Sequence, residues 1–451
     1  MSSNYIAGTL ELTSKVRYGI TSRGVPIFRF IAYDKAYGIY AVSCSQRELS
    51  QNVHVIIEPS SNPTKPGEIP RGNLIKNLGT INDNTEVEIL LATYAYNSSR
   101  QLLKHPKDAH LLEENFSKRP PVQGFTFNID PPGCKDVDDT VSICVKGDGW
   151  RISINIADVA SIIEEGSALD LSCLRKATSF YSPEGFCLAP MLPEYAEQRA
   201  SLLPGCEKAT FSLQFDLAPD GTKTNFKFLE TRSTTHHSFT YDDANDLADE
   251  YKYPLTQIAK GSQDPHKWIE CLMILYNEKA GEALKKKGLG ILRKHKETYS
   301  NLDPEYKFLG YESAKFCQAT DEDTRHFGLD SVCYAYASSP IRRYADLVNQ
   351  RALKGPKSPI SDSLIEHLNK RQKHSKAFGR DLFFARCLFG CDKQEGIVIL
   401  VDEKTHIYIP TWKRVIKVEL CEKKKGESVY VDWYCNKKEA NWKNRIVFRI
   451  S

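Results

Sequence analysis

Ten consecutive residues, DPPGCKDVDD at Asp130–Asp139, hold four aspartates: Asp130, Asp136, Asp138 and Asp139. Carboxylates this close repel one another, and burying one without a counter-charge is costly, so any fold that takes up this segment must bring a cation to it. The preceding FTFNI alternates Phe125, Phe127 and Ile129 with polar neighbours, as a half-buried strand does. The Pro-Pro-Gly turn after it folds the chain back, so that Asp130 at the strand end faces the other three. Hard oxygen ligands suit Mg²⁺, with Mn²⁺ as a substitute, and a magnesium ion held by a few carboxylates keeps positions open for water and phosphate oxygens. The competing reading is a solvated acidic loop or a calcium-binding turn, although the glycine and closing glutamate of an EF-hand are not at their offsets.

The rest of the chain bounds what surrounds this segment. Its 451 residues exceed one ordinary core and predict two to four domains. With 41% apolar and 26% charged residues the chain reads as globular rather than disordered. No apolar run reaches the roughly 18 residues of a membrane span, and MSSNYIAGTLELTSK lacks a secretory layout, so a cytoplasmic, intracellular protein without membrane contact is expected. The 13 cysteines are scattered and odd in number, which favours reduced thiols. A formal net charge of +4 announces no nucleic-acid partner by itself, but lysine and arginine outnumber acids across 334–386, enough for a basic wall.

Short strand patterns fill both ends. YIAGTLEL, VPIFRFIAY, GIYAVSC, VHVIIEP and TEVEILLATYAY read as the strands of a small β-barrel over 1–96, followed by a polar connector with one short helix over 97–118. Mixed patterns occupy 119–391; within them WIECLMILYNEKAGEALKKKG has helical spacing with Gly288 as its stop. EGIVILV, HIYIP, SVYVDWY and RIVFRI predict a second OB-type barrel over 392–451. The fold class is therefore α+β, a mixed α/β core flanked by two β-barrels.

A second cluster sits in SSPIRRYADLVNQRAL. Ser339 is a good N-cap and Pro340 a good first residue, which predicts a helix starting at Ser339 with Arg342 and Arg343 in its first turn. The helix dipole disfavours cations there, so both arginines make sense if they share an anion, a phosphate above all, with the free backbone N–H groups. A surface salt bridge to Asp346 is the plainer alternative for Arg343. Lys285, Lys286 and Lys287 only close a helix. Arg293 and His295, in ILRKHK, either face a phosphate backbone or form a solvated turn. Phe180, Tyr181 and Phe186 share one loop-like stretch, and Tyr408, Trp412, Trp433 and Trp442 lie among lysines near the end. Trp412, in PTWKR, is the best candidate for stacking a base, though about half of these terminal aromatics are expected in the core.

IDPPGCKDVDD followed by SPIRRYADLVNQR resembles the ribonuclease II (RNB) family, and the Pro-Pro-Gly-Cys form is most similar to its eukaryotic exosome-type, ribonuclease R-like branch. INIADVA, GSALD, ATSFYSPEGFCLAPMLP, RSTTHHSFTYDDA, LMILYNEKA, ILRKH and HFGLDS agree in order, so the resemblance covers about 119–391 strongly and the flanking barrels weakly. It implies an RNB catalytic domain over 119–391, a cold-shock-like barrel before it and an S1-like barrel after it. The implied activity is processive, Mg²⁺-dependent 3′→5′ hydrolysis of single-stranded RNA to nucleoside 5′-monophosphates, by a monomer with no obligatory protein partner. The resemblance makes Asp130, Asp136, Asp138 and Asp139 the metal site, with Asp138 and Asp139 catalytic. It places Tyr181 on the terminal nucleotides and Arg342 on the scissile phosphate; Arg343, Arg293, His295 and Trp412 stand beside them as candidate RNA contacts on the residue chemistry given above. Two departures stand out: Asn155 where many members have histidine, and NQR at 349–351 in place of VHR. A catalytically inactive RNA-binding protein on the same fold is the main alternative.

Overall fold

The computed structural model describes residues 5–61, 67–82, 85–95, 110–113, 115–296, 305–306, 309, 312–355, 359–389, 393–436, 439 and 445–451. Most of the expected connector, and Trp442, lie outside the described residues. Among the described residues no helix is long and apolar enough to cross a membrane, and no cysteine forms a disulfide.

Five strands, β1 (Ile6–Leu10), β2 (Ile27–Ala32), β3 (Ile39–Ser43), β4 (Val53–Pro59) and β5 (Arg71–Gly79), close a barrel in the order β1-β2-β3-β5-β4. Its interior is apolar, with Leu10, Phe28, Phe30, Val42, Val55 and Ile57 all fully enclosed. The fifth strand is not the expected one. TEVEILLATYAY forms helix α1 (Glu86–Tyr94), while the polar run RGNLIKNLG, turn-like in composition, completes the barrel. The reason is that α1 buries two faces at once: Ile89 and Ala92 cover the barrel beside Ala7 and Leu78, and Leu90 and Leu91 face the opposite way, toward Phe378 and Leu382. Glu, Leu and Ala are good helix formers, and a helix can present both faces where an edge strand could not.

The centre is built on a six-stranded sheet. Its first members are β6 (Phe125–Ile129), β7 (Asp139–Lys146) and β8 (Gly149–Ala157). After α2 (Ala168–Lys176), the small hairpin β9 (Phe180–Tyr181) and β10 (Cys187–Ala189), and α3 (Glu194–Ala200), it is completed by β11 (Glu207–Leu217), β12 (Lys223–Thr234) and β13 (His237–Phe239). The order is β12-β11-β8-β7-β6-β13, with β13 parallel to β6 and the other pairings antiparallel. Helices α4 (Asp249–Ile258) and α5 (Pro265–Lys287) pack through Leu255, Trp268, Leu272 and Tyr276 on the apolar core that includes Phe127, Ile129 and Ile154. Asp264 caps α5, accepting the His266 N–H at 2.9 Å, and Gly288 ends it in the left-handed conformation, φ +65°, as expected.

Alternate residues of the same strands carry buried hydroxyls and amides instead. Thr126–Ser142, Ser142–Asn155, Asn155–Ser212 and Ser212–Thr231 contacts, at 2.6, 2.8, 2.7 and 2.6 Å, run side by side across five strands. Asn155, where the resemblance leads one to expect histidine, is wholly buried in this chain of hydrogen bonds, with its amide nitrogen and its oxygen both engaged.

Strands β14 (Ile291–Lys294) and β15 (Lys315–Gln318) lead to α6 (Tyr344–Lys354) and the long α7 (Asp362–Phe389). The last sheet, β16 (Lys393–Val401), β17 (Thr405–Ile409), β18 (Arg414–Val418), β19 (Ser428–Cys435) and β20 (Ile446–Ile450), has the order β18-β17-β16-β19-β20. Its apolar face shares a core with α7 and with Leu90 and Leu91 of α1. Arg445, just before β20 and 3% exposed, donates at 3.1 Å to the backbone carbonyl of Asn52 beside the first barrel. Arg371 of α7 is buried and donates to the carbonyls of Lys176, Tyr94 and Ala95 at 3.1, 3.0 and 3.1 Å.

Candidate active site

The aspartate segment is pinned from below. Asp130 ends β6, its N–H bonded to the Phe239 carbonyl at 3.0 Å and its carboxylate accepting from Asn128 at 2.8 Å. Gly133, at φ +76°, turns the chain, and the exposed Pro131–Gly133 loop returns to Val137, which is buried. Val137 is stapled by Ser201, whose hydroxyl accepts the Val137 N–H at 3.0 Å and donates to the Lys135 carbonyl at 2.7 Å. Asp138 and Asp139 then enter the sheet edge, with the Asp138 carbonyl taking the Ala157 N–H at 2.8 Å.

Segment Ser338–Arg343 covers them from above, and it is not the start of a helix. The Ser339 N–H donates to Asp346 at 2.8 Å, Pro340–Arg342 form a turn, and α6 begins only at Tyr344. The expected first-turn placement of Arg342 and Arg343 is therefore corrected. The competing partner is the strand-like segment 177–179: Ser179 N–H donates to the Arg342 carbonyl at 2.9 Å, Tyr344 N–H to Ala177 at 2.8 Å, and Thr178 bridges Arg343. This pairing holds Arg343 in extended backbone directly after the turn that carries Arg342, and sets β9, with Tyr181, beside them.

Asp138 is 4% exposed and held at both oxygens, by the Ile341 N–H at 2.8 Å and by Arg342 Nε at 3.1 Å. Arg342 also donates to Ser339 Oγ at 2.9 Å. The Tyr181 hydroxyl donates to Asp136. All four aspartates, Tyr181, Arg342 and Arg343 line one cavity of about 1060 Å³. Desolvation by burial pushes the Asp138 carboxyl well above its ordinary range and the Asp139 carboxyl up to about 7, with Asp130 adding to the latter. Burial, with Asp136 adding to it, raises Asp130 too. Desolvation opposes the Arg342 charge, but Asp138, Tyr181 and Asp346 outweigh it. Burial raises the Tyr181 phenol, and Asp136 reinforces the shift.

The other wall comes from α5. Asn277 is 3% exposed; its side chain donates to Tyr334 Oη at 3.0 Å and Ser338 Oγ at 3.1 Å and accepts the Ala337 N–H at 2.9 Å. It thereby fixes the strand-like approach to Ser339. Asn277 and Tyr336 both line the cavity, and sequence reading missed them; the aromatics of YAY immediately before SSPIRR were the available signal. The departure NQR is structural: Asn349 brackets Ile291, Gln350 joins Ala160 to Ala157, and Arg351 pairs with Asp170 at 2.9 Å. The three tie α6 to β14, to the end of β8 and to α2 respectively.

Several expected RNA contacts lie elsewhere. Arg293 is 2% exposed, sandwiched between the rings of Phe316 and Tyr336 at 4.5 and 4.4 Å, so it presents no face to a phosphate backbone. His295 packs against His326, accepts the Gly328 N–H and does not line the cavity. Trp412 is buried between Phe384 and Phe448, because the turn at Pro410–Trp412 tucks it under α7; its stacking role is corrected to core packing. Phe180 is likewise core, while Phe186 stands 66% exposed at the cavity rim. On β19, Tyr430 and Tyr434 are the exposed rings, 53% and 44%, a placement the SVYVDWY alternation carries.

The donor set fits a hard divalent cation. Four carboxylates share one cavity, and among the described residues only Asp138 has a cationic partner, so Asp130, Asp136 and Asp139 leave negative charge uncompensated. Among the described residues no three such side chains are gathered at metal-holding separation.

Comparison with known proteins agrees with this geometry. The model of the RNB domain matches residues 122–259 and 305–357. Ribonuclease R of Buchnera aphidicola is 24% identical over 69% of this chain and 56% of its own length. The mouse exosome complex exonuclease RRP44 is 24% identical over 73% and 45% respectively, so the chain spans about half the length of these curated relatives. Among solved structures, the apo form of Mycoplasma genitalium RNase R superposes with a TM-score of 0.75 at 14% identity, covering 100% of this chain and 90% of that one. Yeast Ssd1, described as a pseudonuclease, gives 0.72 at 16% identity over 93% and 65%. The α+β fold with flanking barrels is thus that of RNase R, and the RNB-domain match spans both the aspartate segment and SSPIRR of this chain.

Proposed function

We propose that this protein is a divalent-metal-dependent 3′→5′ exoribonuclease that hydrolyses single-stranded RNA processively to nucleoside 5′-monophosphates. The observation that carries the reading is the clasp on Asp138. Arg342 and the Ile341 N–H hold it inside a cavity whose three other aspartates make no ion pair among the described residues.

Asp130, Asp136, Asp138 and Asp139 would hold a Mg²⁺ or Mn²⁺ ion, which when bound would supply an activated water and neutralise charge on the phosphate. The chain's own residues do the rest. Arg342, 41% exposed and fixed at Nε by Asp138, keeps guanidinium donors for the oxygens of the scissile phosphate. Tyr181 is oriented by Asp136 and sets its ring against the terminal nucleotides. Phe186 at the rim offers a second stacking face, and Tyr430 and Tyr434 of the last sheet, beside Lys393 and Arg449, offer a platform for the incoming strand.

The test is a 5′-labelled oligoadenylate incubated with Mg²⁺, with and without EDTA, beside its DNA analogue. Collapse to a short end product, blocked by EDTA, supports the reading; equal cutting of DNA replaces it with a general phosphodiesterase. Binding without cleavage supports the second reading, an inactive RNA-binding protein. The likeness to Ssd1, a pseudonuclease of the same fold, favours that alternative.

A further inference from the structure

Beyond the aspartate cavity lies a second, smaller one of about 160 Å³ that shares Tyr336 and Arg343 with it. Its lining contains Arg371, Gln372, Ser375 and Lys376 of α7, and no acidic side chain. The two arginines of SSPIRR separate here. Arg342 turns to Asp138, whereas Arg343 lies over the Tyr336 ring at 3.9 Å and pairs with Asp346 at 2.7 Å.

The charge around this pocket does not balance. Arg371 is buried with its donors on backbone carbonyls, and Arg293, behind the Tyr336 ring, is 2% exposed; among the described residues neither has a carboxylate partner. Lys376, exposed at the pocket mouth, makes no ion pair among the described residues either. The Nε atoms of Arg293 and Arg343 are buried with no hydrogen-bond partner among them. Buried charges and donors in this state are expensive unless something pairs with them. Tyr336 registers the imbalance: burial and the nearby Asp346 push its phenol up, yet Arg293, Arg343 and Lys376 outweigh both and bring it below its ordinary value.

We propose that this side pocket is a subsite for a phosphate monoester, and that, on the exoribonuclease reading, it receives the phosphate of RNA whose 3′ end carries one. Its volume has room for a phosphate group, and the wall it shares with the larger cavity includes Arg343, the residue next to the arginine assigned to the scissile phosphate. The same chemistry would also hold free orthophosphate.

The test measures binding in EDTA, where no turnover occurs, by calorimetry. A short oligoadenylate with a 3′-phosphate, its 3′-hydroxyl counterpart and inorganic phosphate are each titrated into the wild type, Lys376→Gln and Ser375→Glu. In the wild type the 3′-phosphate oligomer binds at least about tenfold more tightly than the 3′-hydroxyl form, and both variants reduce that preference to below about threefold. Inorganic phosphate binding that Ser375→Glu abolishes, without a preference between the oligomers, assigns the pocket to free phosphate and overturns the 3′-end proposal. Equal binding of both oligomers with no phosphate binding overturns the subsite altogether. If neither oligomer binds, it is the RNA reading that fails, and the phosphate titration still decides whether the pocket is an anion site. Thermal melts of both variants, matched to wild type, separate these outcomes from misfolding.

Discussion

Two tyrosines face the central cavity from opposite sides and are pushed in opposite directions. Tyr181, donating to Asp136, is held protonated above the ordinary phenol range; Tyr336, against Arg343 and Arg293, is brought below it. Between them runs Ser338–Arg343, whose adjacent arginines serve one side each. The difference teaches what the segment is for. On the aspartate side negative charge exceeds positive and calls for a metal; on the arginine side positive charge exceeds negative and calls for an anion. With a cation held among the aspartates, a substrate phosphate placed at the boundary would be attracted from both directions, which neither pocket alone would achieve.

The sharpest way to break this comparison is Asp138→Asn. It leaves one acceptor oxygen and removes the charge that anchors Arg342, so cleavage falls by about three orders of magnitude or more while RNA affinity changes only a few fold. Single-turnover assays beside filter binding check it, and strong residual cleavage would remove Asp138 from the reaction. Next is Arg342→Ala, expected to lower kcat by about a hundredfold with a small change in affinity. If the loss appears in affinity alone, Arg342 belongs with the binding groove.

The arginine side should break differently. Arg371→Met strands the carbonyls of Lys176, Tyr94 and Ala95, and a denaturant titration should show roughly 2–4 kcal/mol lost. Smallest is a spectroscopic effect. The fold favours the ionised Tyr336 phenol, so the unfolded chain, with an ordinary value of about 10, keeps its proton to higher pH. Between the folded and unfolded values Tyr336 therefore adds stability as pH rises, and that contribution is lost as pH falls through the folded value. In an ultraviolet pH titration Tyr336→Phe should remove the first phenol to ionise; an unchanged curve would deny the positive side its excess charge.

The aspartate quartet and Arg342 were legible in sequence because charge density and local repulsion are properties of neighbouring residues. The left-handed stop at Gly288 was legible for the same reason. What escaped depended on partners far along the chain. Ser339 has every local mark of an N-cap, but its N–H is taken by Asp346 and the backbone after it by residues 177–179, so the helix waits until Tyr344. Trp412 has polar neighbours and still lies under α7, since a tight turn can send a side chain inward whatever stands beside it. TEVEILLATYAY looked like a strand until α7 gave its second apolar face a surface to cover. Asn277 gave no signal of its own: an asparagine in an amphipathic helix becomes meaningful only when three groups of a distant segment converge on it.

The hydrogen bond from Arg445 to the Asn52 carbonyl joins residues 393 positions apart. Chains emerge from the ribosome in order, and early domains fold before late ones exist. The first barrel must therefore stand without that donor until 393 further residues have been made, and the clasp between barrel and final sheet forms only then. Until that point a newborn molecule keeps the two unfastened.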